Sequence, residues 1–137
     1  MTAPVFLDMN RVMRTHRSLI EAYGGVDGVR DAGLLHSAIA MPQASFGGQY
    51  LHADLFEMAA AYLYHIVQNH PFLDGNKRTG AATAIIFLAM NDQEIEADEV
   101  GLVELTLSVA CGNAGKSEIA EFFRTRSHFV PPHREGD

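Results

Sequence analysis

His70-Pro71-Phe72-Leu73-Asp74-Gly75-Asn76-Lys77-Arg78-Thr79-Gly80 is the most informative run in this chain, because it joins the end of one helical pattern to the start of another. Pro71 cannot continue a helix, so the apolar pattern before it must stop near His70. A new helix opens near Asn76 or Lys77 and runs to about Met90. The free N–H groups and dipole of a helix N-terminus attract anions. Gly75 lets the backbone approach a phosphate closely, and Asn76, Lys77 and Arg78 add side-chain donors. Asp74 can hold a hard divalent cation that bridges phosphate oxygens. A histidine titrates near physiological pH, so His70 can take the proton of an attacking hydroxyl. Phe72 can point inward and pin the loop. Base, metal ligand and phosphate cradle together are what phosphoryl transfer requires.

Upstream of this run, Asp54 reads as a helix cap, followed by Leu55, Met58, Ala59, Tyr62 and Ile66 on one face. At ~100° per residue, His70 falls near that same apolar face. Residues 44–53 hold Gly47-Gly48 and two aromatics, and read as an exposed loop or short hairpin. Ala32 to Ala40 reads as a short helix stopped by Pro42. Asp8 caps a first helix reaching about Tyr23, ended by Gly24-Gly25, with a turn at Asp27-Gly28. Downstream, the helix after Arg78 is apolar all round, which predicts a buried central helix. Residues 94–97 read as a short extended piece. Residues 103–109 alternate apolar and polar, as a strand would; Leu102, Val103, Thr106, Val109 and Ala110 also suit a helix, the reading adopted here. Lys116 to Arg126 reads as a last helix. The whole, residues 1–137, is expected to form one all-α domain, with about 127–137 a flexible tail.

Composition is the ordinary balance of a soluble globular fold: the chain is 137 residues long, 47% hydrophobic and 20% charged. The net charge of −7 argues against direct nucleic-acid binding. Lys77 and Lys116 are the only lysines, and each lies beside glycine or polar residues as a candidate phosphate contact. One cysteine, Cys111, allows no internal disulfide. The N-terminus lacks a basic start and has Asp8 where a signal's apolar core would lie, and the uncharged run 79–91 is too short to span a bilayer. A cytoplasmic protein without a membrane anchor is expected.

The central run is similar to the signature of the Fic/Doc superfamily, H-x-F-x-[D/E]-[G/A]-N-[G/K]-R. The resemblance extends to Gly24-Gly25 through Leu34-Leu35, then Ala38 and Pro42, and to Gly47-Gly48 as a flap. It also takes in Asp54-Leu55-Phe56, the start of the helix leading into the motif. It implies a compact helical fold around a buried central helix, with a short flap before the motif helix. Within the superfamily the chain most resembles the death-on-curing (Doc) toxins of type II toxin–antitoxin modules. AMP-transferring Fic proteins carry glycine where this chain has Lys77, and a second arginine that is absent here. The Doc branch carries the lysine and transfers the γ-phosphate of ATP, with Mg²⁺, to a threonine of elongation factor Tu, which stops translation. Mapped onto this chain, the resemblance makes His70 the catalytic base and Asp74 the metal ligand. Gly75, Asn76, Lys77 and Arg78 then bind phosphate. It also implies an antitoxin whose disordered C-terminal segment folds as a helix into a groove near the motif.

Competing readings are weaker. Residues 110–117, A-C-G-N-A-G-K-S, lie one residue from the P-loop pattern, but the first glycine is alanine and only twenty residues follow Ser117. Gly112 to Gly115 reads more simply as a turn between helices. His16, His36, His52, His65, His128 and His133 show no zinc spacing. The string Ser117 to Phe122 approaches the inhibitory pattern [S/T]-x-x-x-E-[G/N], but Phe122 stands in the last position and reads as a core residue beside Ile119. Restraint is therefore expected from a separate antitoxin. The remaining alternatives are a Fic-type adenylyltransferase using the same His70, and a binding homologue without catalysis.

Overall fold

Aspartates start four of the helices. In this computed structural model, which describes residues 3–132, the side chain of Asp8 accepts the N–H of Arg11 and opens α1 (Met9–Tyr23). Asp31 does the same for Leu34 and α2 (Ala32–Ala40). Asp54 caps α3 (Leu55–Asn69) through Glu57, and Asp98 caps α5 (Glu99–Ala110) through Gly101. Each carboxylate satisfies an N–H that the first helical turn leaves unpaired. The other two helices, α4 (Asn76–Met90) and α6 (Lys116–Arg126), begin after glycines. A short 3₁₀ turn, Met41–Gln43, follows α2, with Pro42 near its start.

Of all the helices, α3 is the most enclosed. Eight of its fifteen residues are buried, and it packs against α2, the 3₁₀ turn, α4, α5 and α6. Ala59, Ala60 and Ala61 keep its girth small enough for these neighbours to close around it. The central position expected for α4 therefore belongs to α3. α4 buries Thr79, Gly80, Thr83, Ala84, Phe87 and Leu88 against its neighbours, while Ile85 and Ile86 stay only partly covered. The Tyr62 hydroxyl accepts the Leu7 N–H at 3.0 Å and ties the N-terminal segment to α3. Burial raises the pKa of that hydroxyl to about 12, so it is held as a neutral donor and acceptor.

Two small antiparallel pairs complete the fold. β1 (Ser45–Phe46) and β2 (Gln49–Tyr50) form the short hairpin turned at Gly47-Gly48. β3 (Gln93–Ile95) pairs with β4 (Ser127–Phe129), with Ile95 opposite Ser127 and Gln93 opposite Phe129. Residues 127–129 are thus not part of a flexible tail. The extended stretch after α4 needs partners for its main-chain groups, and β4 supplies them, with Val130 N–H bonded to Asp92 O. Residues 133–137 of the expected tail lie outside the described residues.

α5 is helical across the alternating stretch. Val100, Val103 and Leu107 face outward, while Thr106 and Val109 turn inward. A helix, α5, and not a strand leads into Gly112, so residues 111–115 of the P-loop-like string form a turn between α5 and α6. In α6 the buried residues are Ile119, Ala120 and Phe123. Phe122, expected in the core, lies at its edge with the Arg126 guanidinium 3.8 Å above its ring. Among the described residues, no helix is long and apolar enough to cross a membrane.

Candidate active site

α3 stops at Asn69, and His70 takes the left-handed conformation with φ 49° and ψ 52°. That reversal carries His70 off the apolar face on which helical spacing would have placed it, and the residue is exposed. Pro71 and Phe72 then run back into the protein, both buried. The Phe72 ring lies flat against the ring of His16 from α1, centroids 3.8 Å apart and planes within 5°. His16 is 2% exposed, and its Nε2 lies 2.8 Å from the Asp74 carbonyl oxygen. Phe72 thus pins the loop as the sequence suggested, with His16 as its unforeseen partner.

The loop is held on its other side by residues 25–31. Leu73 N–H bonds Gly28 O, and the N–H groups of Arg30 and Asp31 both bond Pro71 O. Val29 pairs with Phe72 in an isolated antiparallel bridge. The Arg30 side chain donates from Nε to His70 O at 2.6 Å and from Nη2 to Asn69 O at 2.8 Å. Gly25 is required for this approach, since a Cβ there would meet Asp74 Oδ2 at 2.7 Å.

Asp74 accepts the Gly75 N–H on Oδ1 and the Val26 N–H on Oδ2. Asn76 clips the loop from below. Its Oδ1 accepts the Phe72 N–H at 2.9 Å and its Nδ2 donates to Phe72 O at 3.0 Å. The side chain read as a phosphate donor is therefore engaged in shaping the loop. Gly75, at φ 75°, turns the chain into α4 without supplying a side-chain cap. Four helices have their N-termini capped by an aspartate, and Glu118 bonds the Gly115 N–H at the start of α6. The first turn of α4 carries no acid at all, and instead carries Lys77 and Arg78. Asp74 holds the Gly75 N–H, but the N–H groups of that first turn have no side-chain acceptor, an arrangement that can receive an external anion.

Arg30, His70, Asp74, Gly75, Asn76 and Lys77 line one cleft of about 490 Å³. Arg78 is not among the lining residues; its guanidinium lies 4.3 Å over the Tyr23 ring. Lys116 is elsewhere, with Nζ 3.2 Å from His65 Nε2 and above the Tyr64 ring. That placement removes it as a phosphate contact of this cleft. Burial, then Lys116, then His52 push the His65 pKa down to about 4. Among the described residues, no three His, Cys, Asp or Glu side chains converge on a metal position. Asp74 alone fits a hard cation of the kind that takes one carboxylate and fills its shell with phosphate oxygens and water.

Glu121, the residue of the inhibitory pattern, is ion-paired with Arg124 at 2.9 Å, and Arg124 pairs with Asp54 at 3.0 Å. Asp54 caps the N-terminus of α3 and His70 follows its C-terminus. A fifteen-residue helix is about 22 Å long, so Glu121 stands at the opposite end of α3 from the cleft.

Fold and site define an all-α domain whose cleft joins a histidine to an open, basic helix N-terminus. The Fic/DOC family model matches residues 6–88, a span that contains α1 to α3, all but the last two residues of α4, and every residue of the cleft. The chain belongs to the Fic/DOC family. It is similar to "Toxin Doc" of Mycolicibacterium smegmatis, 46% identical over 77 residues, which are 56% of this chain and 59% of that protein. It is also similar to "Protein kinase doc" of Escherichia phage P1, 35% identical over 109 residues, which are 80% of this chain and 85% of that one.

Proposed function

We propose that this chain is a Doc-type toxin that transfers the γ-phosphate of ATP to a hydroxyl of a protein target. The observation that carries the reading is that His70 and Lys77 share one cleft at the start of α4, a helix whose first turn has neither a side-chain cap nor an acidic residue. The relatives support it, one being named a toxin and the other a protein kinase. In the reaction, the target's hydroxyl oxygen bonds to the γ-phosphorus and the bond from that phosphorus to the bridging oxygen breaks. ADP leaves, and the hydroxyl proton passes to the His70 imidazole. The N–H groups at the start of α4 and the Lys77 ammonium hold the phosphates. Mg²⁺ on Asp74 would supply charge neutralisation. The resemblance to the Doc branch suggests elongation factor Tu as the target and a small antitoxin as the restraining partner.

Expression of this chain alone in a bacterium should arrest growth, and co-expression of the neighbouring small gene product should lift the arrest. His70→Ala should be harmless while remaining folded. Normal growth with soluble, intact wild-type protein in a host with a matching elongation factor would count against the toxin reading.

A further inference from the structure

The last carbonyls of a helix have no partners within it. At the end of α3 two of them, on Asn69 and His70, are taken by one side chain from outside, that of Arg30. Among the described residues no carboxylate forms an ion pair with Arg30, so its fork acts on the main chain. The residue it grips is the one that leaves α3 with a positive φ, a conformation that a residue with a Cβ adopts reluctantly. His70 and Asp92 are the two non-glycine residues with positive φ among those described.

We propose that Arg30 is the positioning residue for His70: its guanidinium holds the Asn69 and His70 carbonyls and so fixes the left-handed turn from which the imidazole enters the cleft. The inference rests on the reading of His70 as the base. A planar fork suits the task, because it meets two neighbouring carbonyls at once, whereas a lysine ammonium offers a single point charge. The main chain does not depend on that fork. Arg30 N–H stays bonded to Pro71 O at 2.7 Å, and Asn69 Nδ2 donates to Leu34 O at 3.1 Å, so the loop and the end of α3 keep independent anchors.

Arg30→Ala and Arg30→Lys test this with purified full-length protein. One readout is transfer of γ-labelled phosphate to purified elongation factor Tu. The other is the pair of ¹³Cα and ¹³Cβ shifts of His70 by NMR, which report its backbone conformation without any turnover. In both variants kcat should fall about 10- to 100-fold, as expected for a displaced base. KM for ATP should stay within about twofold, and the His70 shifts should leave their left-handed values. Lysine should not rescue. Unchanged His70 shifts would overturn the proposal, whatever happens to activity. So would a rise in KM at constant kcat, which would make Arg30 a nucleotide contact, or full rescue by lysine. Should the alanine variant fail to fold, the lysine variant carries the same readouts. If the wild-type protein transfers no label, the functional reading fails, and the His70 shifts still decide whether Arg30 sets that turn.

Discussion

Removing the ring of His16 should loosen the loop of residues 70–75 from beneath, by an amount that follows from its contacts. His16 is 2% exposed, lies flat on Phe72 and bonds the Asp74 carbonyl. Truncating a buried ring to alanine costs about 2–4 kcal/mol in lost contacts and residual cavity. The lost hydrogen bond adds about 1 kcal/mol. For a chain of this length, a total of about 4 kcal/mol lowers Tm by roughly 12–16 °C. His16→Phe separates the two contributions: it keeps a ring against Phe72 and loses the bond to Asp74 O, so it should cost about 1–2 kcal/mol. Thermal denaturation followed by circular dichroism, with urea titration for free energies, should rank wild type above His16→Phe above His16→Ala. A Tm for His16→Ala within about 2 °C of wild type would refute the account of the loop's support. A phenylalanine variant as unstable as the alanine one would refute the weight given to stacking.

Gly80 marks the closest approach of α4 to α3, because a Cβ there would lie 3.0 Å from Val67 Cγ2 and 3.1 Å from Leu63 O. Val67 can rotate but a backbone oxygen cannot, so Gly80→Ala should lose about 1 kcal/mol net, overpacking exceeding the gain in helix propensity. A urea midpoint at or above wild type would show that the helices part freely. The buried cluster at Lys116 gives a pH prediction. The His65 pKa is depressed from 6.5 to about 4 in the fold. Between those values the unfolded chain binds the extra proton, so this contribution is complete above pH 6.5 and is lost as pH falls to about 4. His65→Gln should flatten stability against pH over that window, and an unchanged slope would remove His65 as its source.

Much of the helical framework was legible because its signals are local. Asp8, Asp54, Pro42 and Pro71 mark helix boundaries through contacts within a few residues, and the structure keeps each of them. Residues 103–109 stayed ambiguous because an alternating run satisfies strand and helix periods alike; α5 instead leaves Val103 and Leu107 outside. β4 carried no signal, since Ser127–Phe129 finds its partner more than thirty residues upstream at Gln93–Ile95. The motif's candidate residues could be picked out by type, but the supports of its loop could not. His16 is a lone histidine on a polar helix whose meaning comes from Phe72 and Asp74. Arg30 follows a turn and acts on carbonyls distant in sequence. Asn76 was assigned to phosphate by type, whereas both ends of its amide are bonded to Phe72. The left-handed turn at His70 was hidden because Pro71 ends a helix without dictating how the preceding residue leaves it.

Incubation with ATP labelled at either the γ- or the α-phosphate, in the presence of purified elongation factor Tu, separates phosphate transfer from AMP transfer in one experiment. The cleft joins His70 to Lys77, and label should reach the protein from the γ position alone. Lys77→Gly should reduce that transfer sharply, because the charge that positions the phosphates is removed. Label arriving from the α-phosphate would make the protein an AMP-transferring enzyme, and no label from either position would leave the cleft a binding site without the proposed chemistry.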